Sequence, residues 1–191
     1  MSMPNKLRKI PYGTVSELLR HELRNDDGEH DGTAVLIKNL GHIWKTKKIT
    51  RPEFLAICRW KSPRAVKHYS KNQGSTIQSA VCTALSTRSE RKRLDCLTRL
   101  KGVNIPMASA ILTLTNPKRY GVIDIRVWQL LYAMRSVSAK PSGTNFTFKN
   151  WYHYLRKLRY LARKFDVPVR TVERTLFRYH KKVQVGTLYG A

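Results

Sequence analysis

An all-α fold is what this 191-residue sequence predicts, and three observations carry it. Apolar residues recur at helical spacing almost throughout, convincing β-alternation is absent, and helix start and stop residues punctuate the segments. The reading gives nine or ten short helices. Residues 1–191 form a single domain of a size that buries a proper core.

The elements follow in order. "TVSELLRHELR" places Val15, Leu18, Leu19 and Leu23 on one face. "NDDGEHDG", 25–32, interrupts with two glycines and clustered acids, and is read as a solvated acidic turn. It lacks the length and closing glutamate of a calcium loop. "TAVLIKNLGHIWK" resumes with Leu36, Leu40, Ile43 and Trp44 on one side. "TRPEFLAICRW" opens on a capping-box pattern, Thr50 to Glu53, with Pro52 in the first turn. "SPRAVKHYSKN" repeats the start signal at Ser62 and Pro63, and "NQG" at 72–74 ends it. Two more helices, "STIQSAVCTALS" and "SERKRLDCLTRL", lead to "LKGVNIPMASAIL". There a helix stops, turns, and restarts at Pro106. After "DIRVWQLLYAM" the polar loop "SVSAKPSGTN" precedes a last pair of helices, "NWYHYLRKLRYLARKF" and "PVRTVERTLFRYHKK".

Charge narrows the function classes. The chain carries 37 Lys plus Arg against 12 Asp plus Glu, a formal +25, while 41% of its residues are hydrophobic. A globular chain bearing that much self-repulsion points to a polyanionic partner, nucleic acid first. No apolar run approaches the roughly 18–20 residues of a membrane span, so no membrane partner is expected. The basic start "MSMPNKLRKIPYG" has no apolar core behind it and reads as a flexible arm through Lys6, Arg8 and Lys9. Cys58, Cys82 and Cys96 form no C-x-x-C pair and read as reduced core residues of an intracellular protein, in cytoplasm or nucleoid. Three cysteines do not supply the four ligands of a usual iron–sulfur cluster, and the six histidines show no zinc spacing. No metal site is therefore expected.

In the turn, Gly102 tolerates positive φ and Asn104 is the next-best residue for it. Leu97, Leu100, Val103, Ala108, Ile111 and Leu112 pack its two helices. Backbone N–H groups at the restart, over Lys101, Gly102, Val103, Asn104, Ile105 and Met107, are placed to grip a phosphate without reading sequence. An ordinary αα-turn is the plain alternative. Downstream, Asp124 is the one acid between Asp95 and Asp166, set just before an apolar helix. It is a natural N-cap and equally a catalytic carboxylate, and the two roles are compatible.

These residues together, Leu100, Gly102, Val103, Asn104 and Ala108 followed by Tyr120, Gly121, Val122, Ile123 and Asp124, resemble the signature of the helix–hairpin–helix DNA glycosylase superfamily. Those are the endonuclease III-like enzymes of base excision repair. The 18-position interval from Pro106 to Asp124 matches the family's gap between its lysine and its aspartate. The likeness is specific over residues 88–134 and loose elsewhere. It implies a helix–hairpin–helix lobe over about 50–134 and a second lobe from the N-terminal helices and 135–191, with a basic cleft between them. It further implies a monomer that acts on double-stranded DNA carrying a modified or mismatched base. No cofactor is implied beyond room for a monovalent cation at the hairpin carbonyls.

Two positions depart from the family pattern. Asn104 replaces its second glycine, and Pro106 stands where bifunctional members carry the catalytic lysine. Proline has no amine, so a Schiff base does not form there and base removal by water remains. Asp124 would stabilise the oxocarbenium-like state and activate the water. Lys101, Lys61 and Lys118 are amines near the inferred site. Base flipping needs a pocket and a gap-filling residue. Trp60 and Lys61 are the candidates for it, with Arg64 and His68 facing phosphate or base. Trp44, Tyr69, Tyr120 and Trp128 are alternatives, and a core role is open for each aromatic. On the helix carrying Leu155, Leu158, Leu161 and Phe165, the residues Arg156, Lys157, Arg159, Arg163 and Lys164 read as a DNA-flanking surface. Two other functions stay in view. One is a non-catalytic helix–hairpin–helix DNA-binding protein, and the other a metal-dependent nuclease using Asp26, Asp27, Glu29 and Asp31.

Overall fold

A computed structural model describes residues 7–25, 28, 29, 31–186 and 188. Lys6, Asp26 and Asp27 lie outside the described residues, as does the Asp31 side chain. Among the described residues the fold is all-helical, with ten α-helices: α1 Val15–Glu22, α2 Asp31–Thr46, α3 Arg51–Lys61, α4 Val66–Tyr69, α5 Gly74–Ser86, α6 Glu90–Thr98, α7 Ile105–Thr115, α8 Ile125–Ala133, α9 Phe148–Phe165 and α10 Val169–Val183. An isolated β-bridge joins Leu7 and Gln184. Arg8 N–H also donates to Val183 C=O at 2.8 Å. The start of the described chain is thus fastened to the end of α10, where the sequence suggested a free arm.

The caps explain the boundaries. Thr50 and Glu53 form the expected capping box, and Thr14, Ser89, Asn104, Asp124 and Thr147 each accept a backbone N–H from the first turn they precede. Such caps contribute about 0.5–2 kcal/mol apiece. Ser62 does not: it makes no side-chain cap, and a 3₁₀ turn, Pro63–Ala65, follows it. α4 then lasts a single turn. The buried Asn72 ends it, its amide nitrogen donating to Tyr69 C=O at 2.8 Å and to Lys101 C=O at 2.9 Å.

One core runs from Val15 to Val183. Its axis is α7, buried at every position from Met107 to Thr115, with α2, α3 and α6 packed around it. The hydroxyls of this helix are satisfied locally, Ser109 donating to Pro106 C=O and Thr113 to Ser109 C=O, both at 2.7 Å. α8 and α9 pack on α10. No helix among the described residues is long and apolar enough to cross a membrane. Cys58 and Cys96 are buried free thiols, and burial pushes Cys58 up to about 12.

Candidate active site

The turn between α6 and α7 is tight because Gly102 allows it. Its φ is +81°, and a Cβ there would come within 2.9 Å of His68 Cβ and 3.0 Å of the Tyr69 ring. Asn104 differs from the expectation. Its φ is −93°, and it serves as the N-cap of α7 rather than as a left-handed residue. Its carboxamide oxygen accepts the Met107 N–H at 3.1 Å. Lys101 N–H goes to Asn72 Oδ1 at 2.8 Å and Val103 N–H to Leu100 C=O at 3.0 Å. Of the six residues expected to present N–H groups to a phosphate, Lys101, Val103 and Met107 have theirs bonded within the protein. Those of Gly102, Asn104 and Ile105 have no acceptor among the described residues.

Asp124 is delivered by a buried extended segment whose polar groups are clamped from three helices. Val122 N–H meets Glu173 Oε2 of α10 at 3.3 Å, and Val122 C=O accepts the Tyr154 hydroxyl of α9 at 2.7 Å. Ile123 N–H donates to Ser109 Oγ of α7 at 3.0 Å. Gly121 permits this approach, since a Cβ there would lie 2.7 Å from Leu158 Cδ1 and 2.9 Å from Glu173 Cβ. Asp124 then caps α8, accepting Arg126 N–H at 3.0 Å.

Its other carboxylate oxygen takes the Lys61 ammonium at 2.5 Å, and both side chains are 19% exposed. Burial alone would raise the Asp124 carboxyl. The Lys61 charge and hydrogen bond, with the Arg126 N–H, outweigh it and hold the group below the ordinary aspartate value. Asp124 and Lys61 line a cavity of about 870 Å³, together with Arg64, Tyr69, Asn104–Met107 and Gly143–Phe146. The turn and the carboxylate therefore share one concavity, of a volume within the usual range for ligand pockets.

Several predicted residues land elsewhere. Tyr120 and Trp128 are core residues, each 1% exposed, and neither lines the cavity. The Tyr120 hydroxyl donates to Glu90, and burial lifts it to about 12. Trp44 packs against Tyr120. Trp60 is spent on a hydrogen bond to Thr33 Oγ1 at 3.0 Å, with the Arg170 guanidinium over its ring. His68 is exposed beside Gly102, outside the cavity. Glu29 is not a solvated turn acid, because it pairs with Arg170 at 2.6 Å and Arg174 at 3.1 Å.

The sequence reading missed the wall made by Gly143–Phe146. Trp128 holds that loop from beneath, its indole N–H donating to Ala139 and Lys140 C=O at 3.1 and 2.9 Å and its ring meeting Phe146 at 5.1 Å. A run of Ser, Gly and Thr gives no period that would reveal a pocket wall. The Val122 clamp was missed too, since its partners lie 32 and 51 positions away in the chain.

Deeper in α10, His180 is fully buried with neither ring nitrogen hydrogen-bonded among the described residues. Burial, aided by Arg126, pushes it down from 6.5 to about 4. The unfolded chain takes up this proton first. The contribution of His180 to stability is therefore full above pH 6.5 and is lost as pH falls toward 4. His180→Leu should flatten the fall of melting temperature over that window. An unchanged slope would mean that the imidazole takes up its proton in the fold as readily as in the unfolded chain. Comparison of the chain with protein-family profiles, curated proteins and solved structures yields no match.

Proposed function

We propose that this protein is a monofunctional DNA glycosylase, which draws a modified base out of duplex DNA and hydrolyses its N-glycosidic bond with Asp124. The observation that carries the reading is the shared cavity. An ionised, rigidly held carboxylate and the start of α7, where Asn104 and Ile105 keep unoccupied N–H groups, line one space of about 870 Å³. The turn holds a phosphate of the damaged strand, and the fixed carboxylate stabilises the sugar cation and orients the attacking water. In the free protein Lys61 keeps Asp124 ionised. A phosphate entering the cavity competes for the ammonium and releases the carboxylate to the sugar.

The test is a panel of duplexes, each with one modified base, incubated with the protein and then heated in alkali. Strand breakage on one substrate, seen only after alkali, is the expected result. With Pro106 in the turn, borohydride should trap no protein–DNA adduct. A trapped adduct that disappears in Lys61→Ala or Lys101→Ala would overturn removal by water.

Two further outcomes follow from charge. If about five to eight phosphates are neutralised, log affinity against log salt should slope near −4 to −7. Affinity indifferent to salt would exclude a nucleic acid partner. Lys61→Met removes the cation that holds Asp124 down, so the carboxyl should titrate higher. The acid limb of the excision rate should then move to higher pH, and a limb that stays put would detach Lys61 from the site.

One observation favours a non-catalytic DNA-binding role instead: both Asp124 oxygens already hold partners, as a plain helix cap would. The panel separates the two, since a binder excises nothing. The nuclease reading loses Glu29 to its arginine partners.

A further inference from the structure

The outer face of α9 combines two features not used by the cavity. It is basic without counter-charge, since no Asp or Glu occurs from 125 to 165. It also presents aromatic rings to solvent: Tyr152 is 38% and Tyr160 57% exposed. Lys149, Arg156, Arg163 and Lys164 are exposed beside them, and none pairs with an acid among the described residues. Lys157 and Arg159 belong to the fold instead, bonded to Ser136 and Glu90.

Tyr152 is already the end of a stack. The Arg91 guanidinium lies 3.9 Å from the Phe148 ring centroid, and Phe148 stacks on Tyr152 at 5.4 Å and 11°. This orders the Tyr152 ring and leaves its exposed side for another planar group. Tyr160 follows two turns on, about 12 Å along the axis at 1.5 Å per residue. None of these residues lines the cavity, and Tyr154, on the other side of the same helix, is bonded to Val122. The face is turned away from the segment that bears Asp124, which sets it apart from a simple extension of the cavity.

We propose that this face of α9 binds an unpaired nucleic acid strand, its bases stacking on Tyr152 and Tyr160 while the four cations follow the phosphates. Exposed tyrosines in a basic stripe suit single strands because every base has a π-face, whereas a duplex hides those faces in its own stack. A lipid surface is disfavoured, since the face exposes no Leu, Ile or Phe to enter the acyl region. This inference does not rest on the glycosylase reading.

The experiment measures binding of fluorescent oligo(dT) to the full chain by anisotropy, for wild type, Y152A/Y160A, Y152F/Y160F and R156E/R163E. Y152A/Y160A, at about tenfold for each ring lost, should weaken binding about a hundredfold. The phenylalanine pair should bind like wild type, and the charge reversal should flatten the salt dependence. Unmodified duplex should be bound equally by wild type and Y152A/Y160A. Equal oligo(dT) binding by wild type and Y152A/Y160A would reduce the face to plain electrostatics and overturn the proposal. Stronger binding to phosphatidylserine vesicles than to oligo(dT), lost in R156E/R163E, would overturn it in favour of a membrane. If no duplex in the panel is excised while tyrosine-dependent strand binding persists, the glycosylase reading falls and this one stands. Excision without such binding gives the reverse.

Discussion

Asp124→Asn should lower the single-turnover excision rate by on the order of 10² to 10⁴, because charge stabilisation and water activation are lost together. The substitution suits the question, since asparagine caps helices about as well as aspartate and α8 should keep its start. Val122 and Ile123 keep their bonds to Glu173, Tyr154 and Ser109, so the residue should stay in place. Duplex affinity should be unchanged or slightly higher, with one negative charge removed near the phosphates and the Lys61 ammonium set free to meet them. Melting temperature measured beside the rate guards against misreading an unfolded variant. A folded variant with the wild-type rate would remove Asp124 from the chemistry, and the cavity would then need another carboxylate, which its lining does not supply.

The second large effect is on stability. Arg170 stands between two acids, Glu29 and the 2%-exposed Glu173. Arg170→Met strands Glu173 as a buried charge, and breaking such a pair costs about 3–5 kcal/mol. For a chain of this size that lowers the melting temperature by about 10 °C. The sign with pH is distinctive. Burial pushes the Glu173 carboxyl up and Arg170 opposes it, so without Arg170 the folded value rises further above the unfolded one. The folded variant then binds the proton more readily, and its deficit should shrink as pH falls from 7 toward 5. Replacing both residues, Arg170→Met with Glu173→Gln, should recover much of the loss, because no lone charge is left inside and the amide oxygen still accepts the Val122 N–H. Melts of the three variants at both pH values decide it. An undisturbed Arg170→Met would mean that the pair carries no weight.

What the sequence disclosed and what it hid divide along a physical line. Helices, caps and the turn are written in neighbouring residues: Thr50 with Glu53, Gly102, and Asp124 ahead of its apolar run all behave as their local pattern says. Lys61, named on proximity in the chain pattern, meets Asp124 across 63 positions. Aromatics were the weak point. A ring on an apolar helix face looks the same whether it walls a pocket or fills a core, and only packing put Tyr120 and Trp128 inside. Asn104 was misjudged because a residue able to adopt positive φ is also a strong N-cap, and Pro106 behind it favoured the cap. Buried polar clamps such as Glu173 on Val122 leave no periodic trace at all.

The clamp on Val122 has a bearing on how the protein is made. Every residue of the cavity wall lies between 61 and 146, whereas two of the three side chains that hold the Asp124 segment, Tyr154 and Glu173, are further along the chain. At the ordinary pace of about 5–20 residues per second, a ribosome completes the pocket's walls seconds before it emits the parts that fix its carboxylate. A nascent chain then has the walls of the pocket while its carboxylate is still unfixed, and the Asp124 segment gains its full set of clamps once α10 has docked.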